Sequence, residues 1–235
     1  MRITISKENY LKAIAEAQSE GEPVISATLA RWLGVSPPAV TMAIKRLKRD
    51  GLIAVGKNVR IALTASGRDI AGRILHRHHL IERMLNEIFG MEWYKVHDEA
   101  EQLEHAVSED FEKRLLAKLG RGRPCPHGNS AEIDTPKDRR KRGWRTLNEA
   151  PTPSRAVVVS VYERDRKLLE YLDRLSIQPG SKLDVVSRNY DDTITVRAAD
   201  RPVQLGPAAA ARIWIKLAGE AAPESRGIRA ANERG

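Results

Sequence analysis

Five of the six histidines fall between positions 76 and 105, interleaved with carboxylates at helical spacing. The two stretches are His76-Arg77-His78-His79-Leu80-Ile81-Glu82 and His97-Asp98-Glu99-Ala100-Glu101-Gln102-Leu103-Glu104-His105. Residues four apart share a helix face. His97, Glu101 and His105 therefore form one row with Glu104 beside it, and His78 and Glu82 form a second pair. Imidazole and carboxylate together suit a divalent transition metal such as Mn, Fe, Zn, Co or Ni. One isolated pair of this kind is ordinarily a solvated face, worth roughly a few tenths of a kcal/mol. Here two clusters lie on separate helices, and Ala100, Leu103 and Val107 flank the second and draw its face inward. That pattern points to a metal site built by two helices.

The charge is unevenly distributed. The chain carries a formal +9 overall. Residues 1–75 hold 12 Lys/Arg against 6 Asp/Glu, whereas residues 76–120 hold 6 against 10. The basic part suits a polyanion such as DNA, and the acidic, His-bearing part attracts cations. No apolar run is long enough to span a bilayer. The start, Met-Arg-Ile-Thr-Ile-Ser-Lys-Glu, has no signal-peptide core, and the single cysteine, Cys125, has no internal partner for a disulfide. A cytoplasmic protein with no membrane partner is expected.

The basic part has its own pattern. A helix is expected over 7–19, ended by Gly21-Glu22-Pro23. A short one follows, capped by Ser26 and running to Leu33. Gly34 makes the turn. Ser36 is an N-cap, with Pro37 at the first helical position, where proline is tolerated. The helix 37–50 buries Val40, Ile44 and Leu47 and turns Pro38, Met42, Lys45, Arg46 and Arg49 outward. Residues 52–55 and 60–63 flank Gly56-Lys57-Asn58-Val59 as a basic-tipped hairpin. This is the pattern of a winged helix-turn-helix over residues 1–64. Ser36, Pro38, Ala39 and Met42 sit where base edges are reached. Lys45, Arg46, Arg49, Lys57 and Arg60 are candidates for phosphate contacts.

A long helix is expected from Thr64 to about Ile88, then helices over about 93–107 and 109–118. Their apolar stripes exceed what so small a segment needs, which suits a dimerisation unit over 65–120 and a palindromic DNA site. Residues 121–154 read as loop and basic linker, with Asp138-Arg139-Arg140-Lys141-Arg142 as a solvated run. From 155 to 217, five short strands and one helix suggest a small SH3-like barrel. Residues 218–235, rich in Ala, Glu, Pro and Arg, are expected to be disordered. The fold class is mainly α with a small β part.

That order of parts, with Lys95-Val96-His97-Asp98-Glu99-Ala100-Glu101-Gln102-Leu103-Glu104-His105, the Cys125-Pro126-His127-Gly128-Asn129 loop and Lys48-Arg49-Asp50-Gly51-Leu52-Ile53, resembles the diphtheria toxin repressor family over residues 3–217. The resemblance implies a homodimeric metal-dependent repressor. It would bind double-stranded operator DNA with Mn(II) or Fe(II) and control metal-homeostasis genes. It would end in a FeoA-like barrel. The resemblance also implies two metals per protomer. The ancillary ligands match as His78, Glu82 and His97. The primary ligands match as Glu101, Glu104, His105 and, on the first helix, Asn9. Iron-type members have Met at the Asn9 position and Cys at that of Glu101; manganese-type members have Asp and Glu. Asn9 brings one negative charge fewer than Asp. Glu163 and Asp165 are the nearest barrel residues that could join a site.

Two other classes compete with this reading. A di-iron carboxylate enzyme would use Glu-x-x-His on each of two helices, and that motif is absent, as are His-Glu-x-x-His and Gly-x-Ser-x-Gly. A winged-helix regulator answering to an organic ligand or partner would leave the histidines solvated. If the helix at 37–50 meets phosphates, Arg46→Ala should weaken DNA binding evenly across sequences. The slope of log affinity against log salt should flatten by about one. Titrations at several salt concentrations measure both.

Overall fold

The computed structural model describes residues 3–219; nearly all of the expected tail lies outside the described residues. The chain opens with helix α1, Ile5–Ser19, whose N-terminal amide at Lys7 is capped by the Thr4 hydroxyl. Helix α2, Ser26–Leu33, starts with Ser26 itself, has no side-chain cap, and ends on Gly34 in the left-handed conformation. Ser36 precedes α3, Pro37–Arg49, with extended backbone but no side-chain capping bond. The strands β1, Ile53–Val55, and β2, Ile61–Leu63, pair antiparallel as the wing, with Ile53 opposite Leu63. Leu11, Ile14, Leu29, Val40, Leu47, Ile53 and Ile61 form the core beneath them.

Helix α4, Ala65–Arg83, is capped by the Thr64 hydroxyl and continues as a π-helical turn, Met84–Ile88. Its upper part packs on α1, since Ala71 and Leu75 belong to the same core as Leu11 and Ile14. Helix α5, Val96–Leu103, is shorter than the expected 93–107. Trp93 is the reason at its N-terminal end. It leaves the helical row, joins the hydrophobic core of the C-terminal domain, and donates its indole N–H to Asp173 at 2.6 Å. Leu103, expected to face inward, is 37% exposed, while Ala100 is fully buried. Helix α6, Glu109–Leu119, is capped by Ser108.

The expected linker is structured. Helix α7, Pro136–Lys141, is capped by Thr135 and has proline in its first turn. Strand β3, Trp144–Thr146, then pairs with the last strand of the chain. Within the basic run Arg139 departs from the expected solvated stretch, while Arg140, Lys141 and Arg142 are exposed. Arg139 is buried, 5.1 Å over the Trp214 ring and paired with Glu20 and Asp134; Arg142 lies 4.2 Å over Trp144. Guanidinium stacking on indole faces is what keeps these charges in place.

The remaining elements are β4, Ser154–Val161; α8, Arg166–Arg174; β5, Lys182–Arg188; β6, Ile194–Ala198; β7, Arg201–Leu205; α9, Pro207–Ala210; and β8, Ile213–Leu217. They make an antiparallel sheet of order β3-β8-β4-β5-β6-β7. The sheet has six strands where five were expected, because a three-residue strand shows no readable alternation. Register shifts within β4 and β5 mark bulges that bend the sheet into the SH3-like shape.

This small β domain leans on the N-terminal helical part through charge. Arg164 donates to Glu16 at 2.6 Å and stacks 4.8 Å over Trp32; Arg212 pairs with Glu22 at 3.5 Å. Beside them, burial pushes the Glu20 carboxyl from its ordinary value near 4.5 up to about 7, against the pull of Arg139. A carboxyl whose folded-state value is raised stabilises the fold below its unfolded value and loses that contribution as pH rises through the folded one. Glu20→Gln cannot ionise. It should flatten the fall in thermal stability between about pH 4.5 and about pH 7 relative to wild type, as followed by thermal denaturation across that window.

Candidate metal centre

Helix α4 projects His78, His79 and Glu82 from its last turns, and all three are buried. Helix α5 brings His97 against them. The His78 Nε2, His97 Nδ1 and Glu82 Oε1 atoms lie 3.0 to 3.2 Å from one another. The ancillary set expected from sequence is therefore gathered in one place, with Glu82 at its middle.

Glu82 also faces a second group. Its Oε1 is 3.4 Å from His127 Nδ1. His127 Nδ1 is in turn 3.6 Å from Glu163 Oε2 and 3.8 Å from Cys125 Sγ. Glu163 lies 3.5 Å from the same sulfur, and its other oxygen lies 3.8 Å from His79 Nε2. Among the described residues the donor atoms of His79, Glu82, Cys125 and Glu163 come within 4.8 Å of one another, as do those of His78, Glu82 and His97. Asp165, the other barrel candidate, is elsewhere: it is exposed and caps α8 by accepting from the Leu168 amide.

Two features suit this cluster to a divalent ion. First, buried polar atoms have no hydrogen-bond partner, namely both ring nitrogens of His79, Glu82 Oε2 and Asn129 Oδ1. Buried unpaired polar atoms are costly unless something satisfies them. Second, His127 donates from Nε2 to the Trp93 carbonyl at 2.8 Å, so Nδ1 is the atom presented to the cluster. A backbone acceptor on the far nitrogen is the usual way a ligating histidine is oriented. Asn129 likewise fixes Glu163 by donating to Oε2 at 2.6 Å. A thiol, imidazoles and carboxylates form a mixed donor set that fits a first-row divalent ion.

The protonation of these groups follows from their crowding. Burial alone would lower His127, but Glu82 and Glu163 outweigh it and push it up to about 10. His78 likewise rises to about 10 through Glu82 and Glu104, against burial and Lys12. Against the effect of its own burial, Glu82 is held well below the usual carboxylate range by His127 and His78. Burial and the two carboxylates push the Cys125 thiol well up. Metal entry into such a site displaces protons.

The expected primary set has a different geometry. His105 is bracketed on the first helix by Asn9 Oδ1 at 2.6 Å and Glu8 Oε2 at 2.8 Å, with Glu104 Oε1 3.3 Å away. Glu101 and Glu104 instead accept from the Lys12 ammonium, at 2.9 and 2.7 Å. Burial notwithstanding, Lys12 holds Glu101 down at about 2.

At the other end of the molecule, Ser36, Pro38, Ala39, Met42, Lys45, Arg46 and Arg49 are exposed on one side of α3, and Lys57 and Arg60 are exposed on the wing.

Family models place these parts. A model described as iron dependent repressor, N-terminal DNA binding domain matches residues 2–59, one described as iron dependent repressor, metal binding and dimerisation domain matches 64–132, and a FeoA domain matches 145–217. The diphtheria toxin repressor of Corynebacterium diphtheriae is 31% identical over 202 residues, covering 82% of this chain and 89% of that one. The chain belongs to the diphtheria toxin repressor family. Within that family it is also similar to the iron-dependent repressor IdeR of Mycobacterium leprae, 38% identical over 52% of this chain and 53% of that one. Among solved structures, a manganese-dependent transcriptional repressor in complex with manganese is 32% identical, with a TM-score of 0.80 over 90% of this chain and 100% of that one.

Sequence reasoning passed over Cys125 and His127. The stretch Cys125-Pro126-His127 reads as loop and as part of the family resemblance, with no ligand role for either residue. Two potential ligands two residues apart, one of them the only cysteine, are the signal that could have found them. The loop depends on Gly128, which has φ +82° and where a Cβ would sit 2.1 Å from the Val159 carbonyl oxygen. Gly128→Ala should cost on the order of 2–4 kcal/mol and displace Cys125 and His127. Chemical denaturation and Co(II) absorption in the thiolate charge-transfer region report the two effects.

Proposed function

We propose that this protein is a metal-dependent transcriptional repressor. In this reading residues 1–64 bind DNA and residues 65–120 carry the dimer contact and most metal ligands. It binds palindromic double-stranded operator DNA as a homodimer when Mn(II) or Fe(II) is bound. The observation that carries this is the buried Glu82 cluster, whose donors come from α4, α5, the 125–129 loop and the residue just after β4.

A divalent ion bound there supplies the positive charge that lets Glu82, Glu163 and the Cys125 sulfur face one another. The chain does the rest. Glu82 and His78 lie on α4, the helix that packs on α1, so holding α4 fixed holds the DNA-binding part fixed. His97 adds α5 to the same point. Cys125, His127 and Glu163 add the barrel, and Arg164 beside Glu163 carries the connection to Glu16 on α1. A ligand that favours one arrangement shifts the population toward it. The favoured arrangement sets two α3 helices about one DNA turn apart.

Pro38, Ala39 and Met42 on the first turns of α3 suit base edges, and the basic residues behind them suit phosphates. The dimer reading draws on exposed apolar side chains of the helical unit: Ile88 is 41% exposed, Phe89 69% and Phe111 45%. Among the described residues no helix is long and apolar enough to cross a membrane.

A titration of fluorescent palindromic duplexes against the protein tests this reading, with no metal and with Mn(II) or anaerobic Fe(II), at fixed salt. Wild type should tighten with metal. Glu82→Gln keeps the shape and loses the charge, and should lose at least ~100-fold of metal affinity and with it the metal response. Identical DNA binding in all arms would sink the proposal.

A further inference from the structure

Lys12 sits in the middle of α1, where its side chain is 3% exposed. Lysine is among the residues least often buried. Here its ammonium reaches across to α4 and the end of α5 and lies 2.9 Å from Glu101 Oε1, 2.7 Å from Glu104 Oε2 and 3.3 Å from His78 Nδ1. Two carboxylates and an imidazole around one point form the donor set that a divalent ion would take. The point is filled by a positive charge covalently attached to the first helix.

The position leaves no room for an ion. Mn–O contacts run to about 2.2 Å, so an ion bound by Glu101 and Glu104 together would overlap the ammonium that both now bind. Charge argues the same way. Glu101 is also 3.4 Å from the Arg164 guanidinium, which pairs with Glu16 at 2.6 Å. Two fixed cations, Lys12 and Arg164, thus already pair with Glu101, Glu104 and Glu16, and His78, His97 and His105 lie beside the first two. The other two expected ligands, His105 and Asn9, bond to each other at 2.6 Å, with Glu8 Oε2 2.8 Å and Glu104 Oε1 3.3 Å from the His105 ring. On the far side of His78 the situation is reversed. The ion-pair partners of Glu82 and Glu163 among the described residues are all histidines, which can themselves ligate. A bound ammonium cannot.

We propose that Lys12 is a built-in cation at the Glu101–Glu104–His78 centre, closing the first helix on α4 and α5 without a metal, and that the chain takes its divalent ion at the Glu82 cluster alone. This rests on the preceding assignment of the Glu82 cluster as a metal site. It departs from the two ions per protomer that the family resemblance implies. It also gives Lys12 a role that a surface lysine could not have: the contact between the DNA-binding part and the dimerisation helices persists in metal-free protein.

The test is Mn(II) stoichiometry in the full chain, by calorimetry and by electron paramagnetic resonance of unbound Mn(II). Wild type should bind one ion per protomer. His105→Ala should still bind one, and Glu82→Gln none at the same free Mn(II). Lys12→Met removes the ammonium at equal length and should bind two, with the second lost again in Lys12→Met/Glu101→Gln. Removing a buried charge partner is destabilising by several kcal/mol, so dimer and fold are checked by sedimentation and circular dichroism. If Lys12→Met does not fold, wild type against His105→Ala decides alone. Two ions in wild type with one lost in His105→Ala would overturn the Lys12 proposal and leave the Glu82 site standing. A folded Lys12→Met dimer that still binds one ion would also overturn it. No Mn(II) bound by wild type at all would overturn both.

Discussion

A carboxylate out of contact with water, with no lysine or arginine beside it, is the constraint on which this molecule turns. Glu82 is 0% exposed and meets His78, His97 and His127. Removing such a group from water costs several kcal/mol unless opposite charge surrounds it. Each element that approaches Glu82 therefore supplies either a histidine or a group that orients one. The helical unit, the Cys125–Asn129 loop and the small β domain are held in register because they share this one debt of charge.

Two centres lie on opposite sides of His78, and they solve the same electrostatic problem differently. Toward α1, two permanent cations, Lys12 and Arg164, pair with the three carboxylates of Glu101, Glu104 and Glu16. Toward the barrel, Glu82 and Glu163 are left to histidines and to a ligand from outside. The first arrangement carries its cations within the chain, whereas the second, in the proposed reading, takes one from solution. A sensor needs both: one joint that holds and one that responds.

Much of the DNA-binding part was legible because its signals are local. Pro37 at the start of a helix, Gly34 in the left-handed turn and the Val40–Leu47 spacing need no knowledge of the rest of the chain. His78 and Glu82 were likewise legible as a pair from helical spacing, whereas their union with His97 came from the family resemblance, since spacing set His97 in a row with Glu101 and His105. Most of the misses are long-range. Lys12 is an ordinary polar residue of a helix until α4 and α5 are laid across it. Arg139 looks solvated until Trp214, 75 residues away, is packed beneath it. The sixth strand has three residues and acquires its identity only from pairing with β8. Cys125 and His127 sit in a loop without periodicity, so only their chemistry could have flagged them.

Trp93 has a consequence for how the parts of this chain can be recombined. It belongs by sequence to the connection between α4 and α5, yet its ring is a core residue of the C-terminal domain and its carbonyl orients His127. The β domain is thus not an attachment hung from a finished regulator. A chain ending near residue 120 would lose Cys125, His127 and Glu163 and would also leave an indole without a cover one turn before His97. Swapping barrels between relatives would transplant the pocket for that indole together with the ligands. In this architecture modularity stops at Trp93, and inheritance of the two halves is coupled through one aromatic ring.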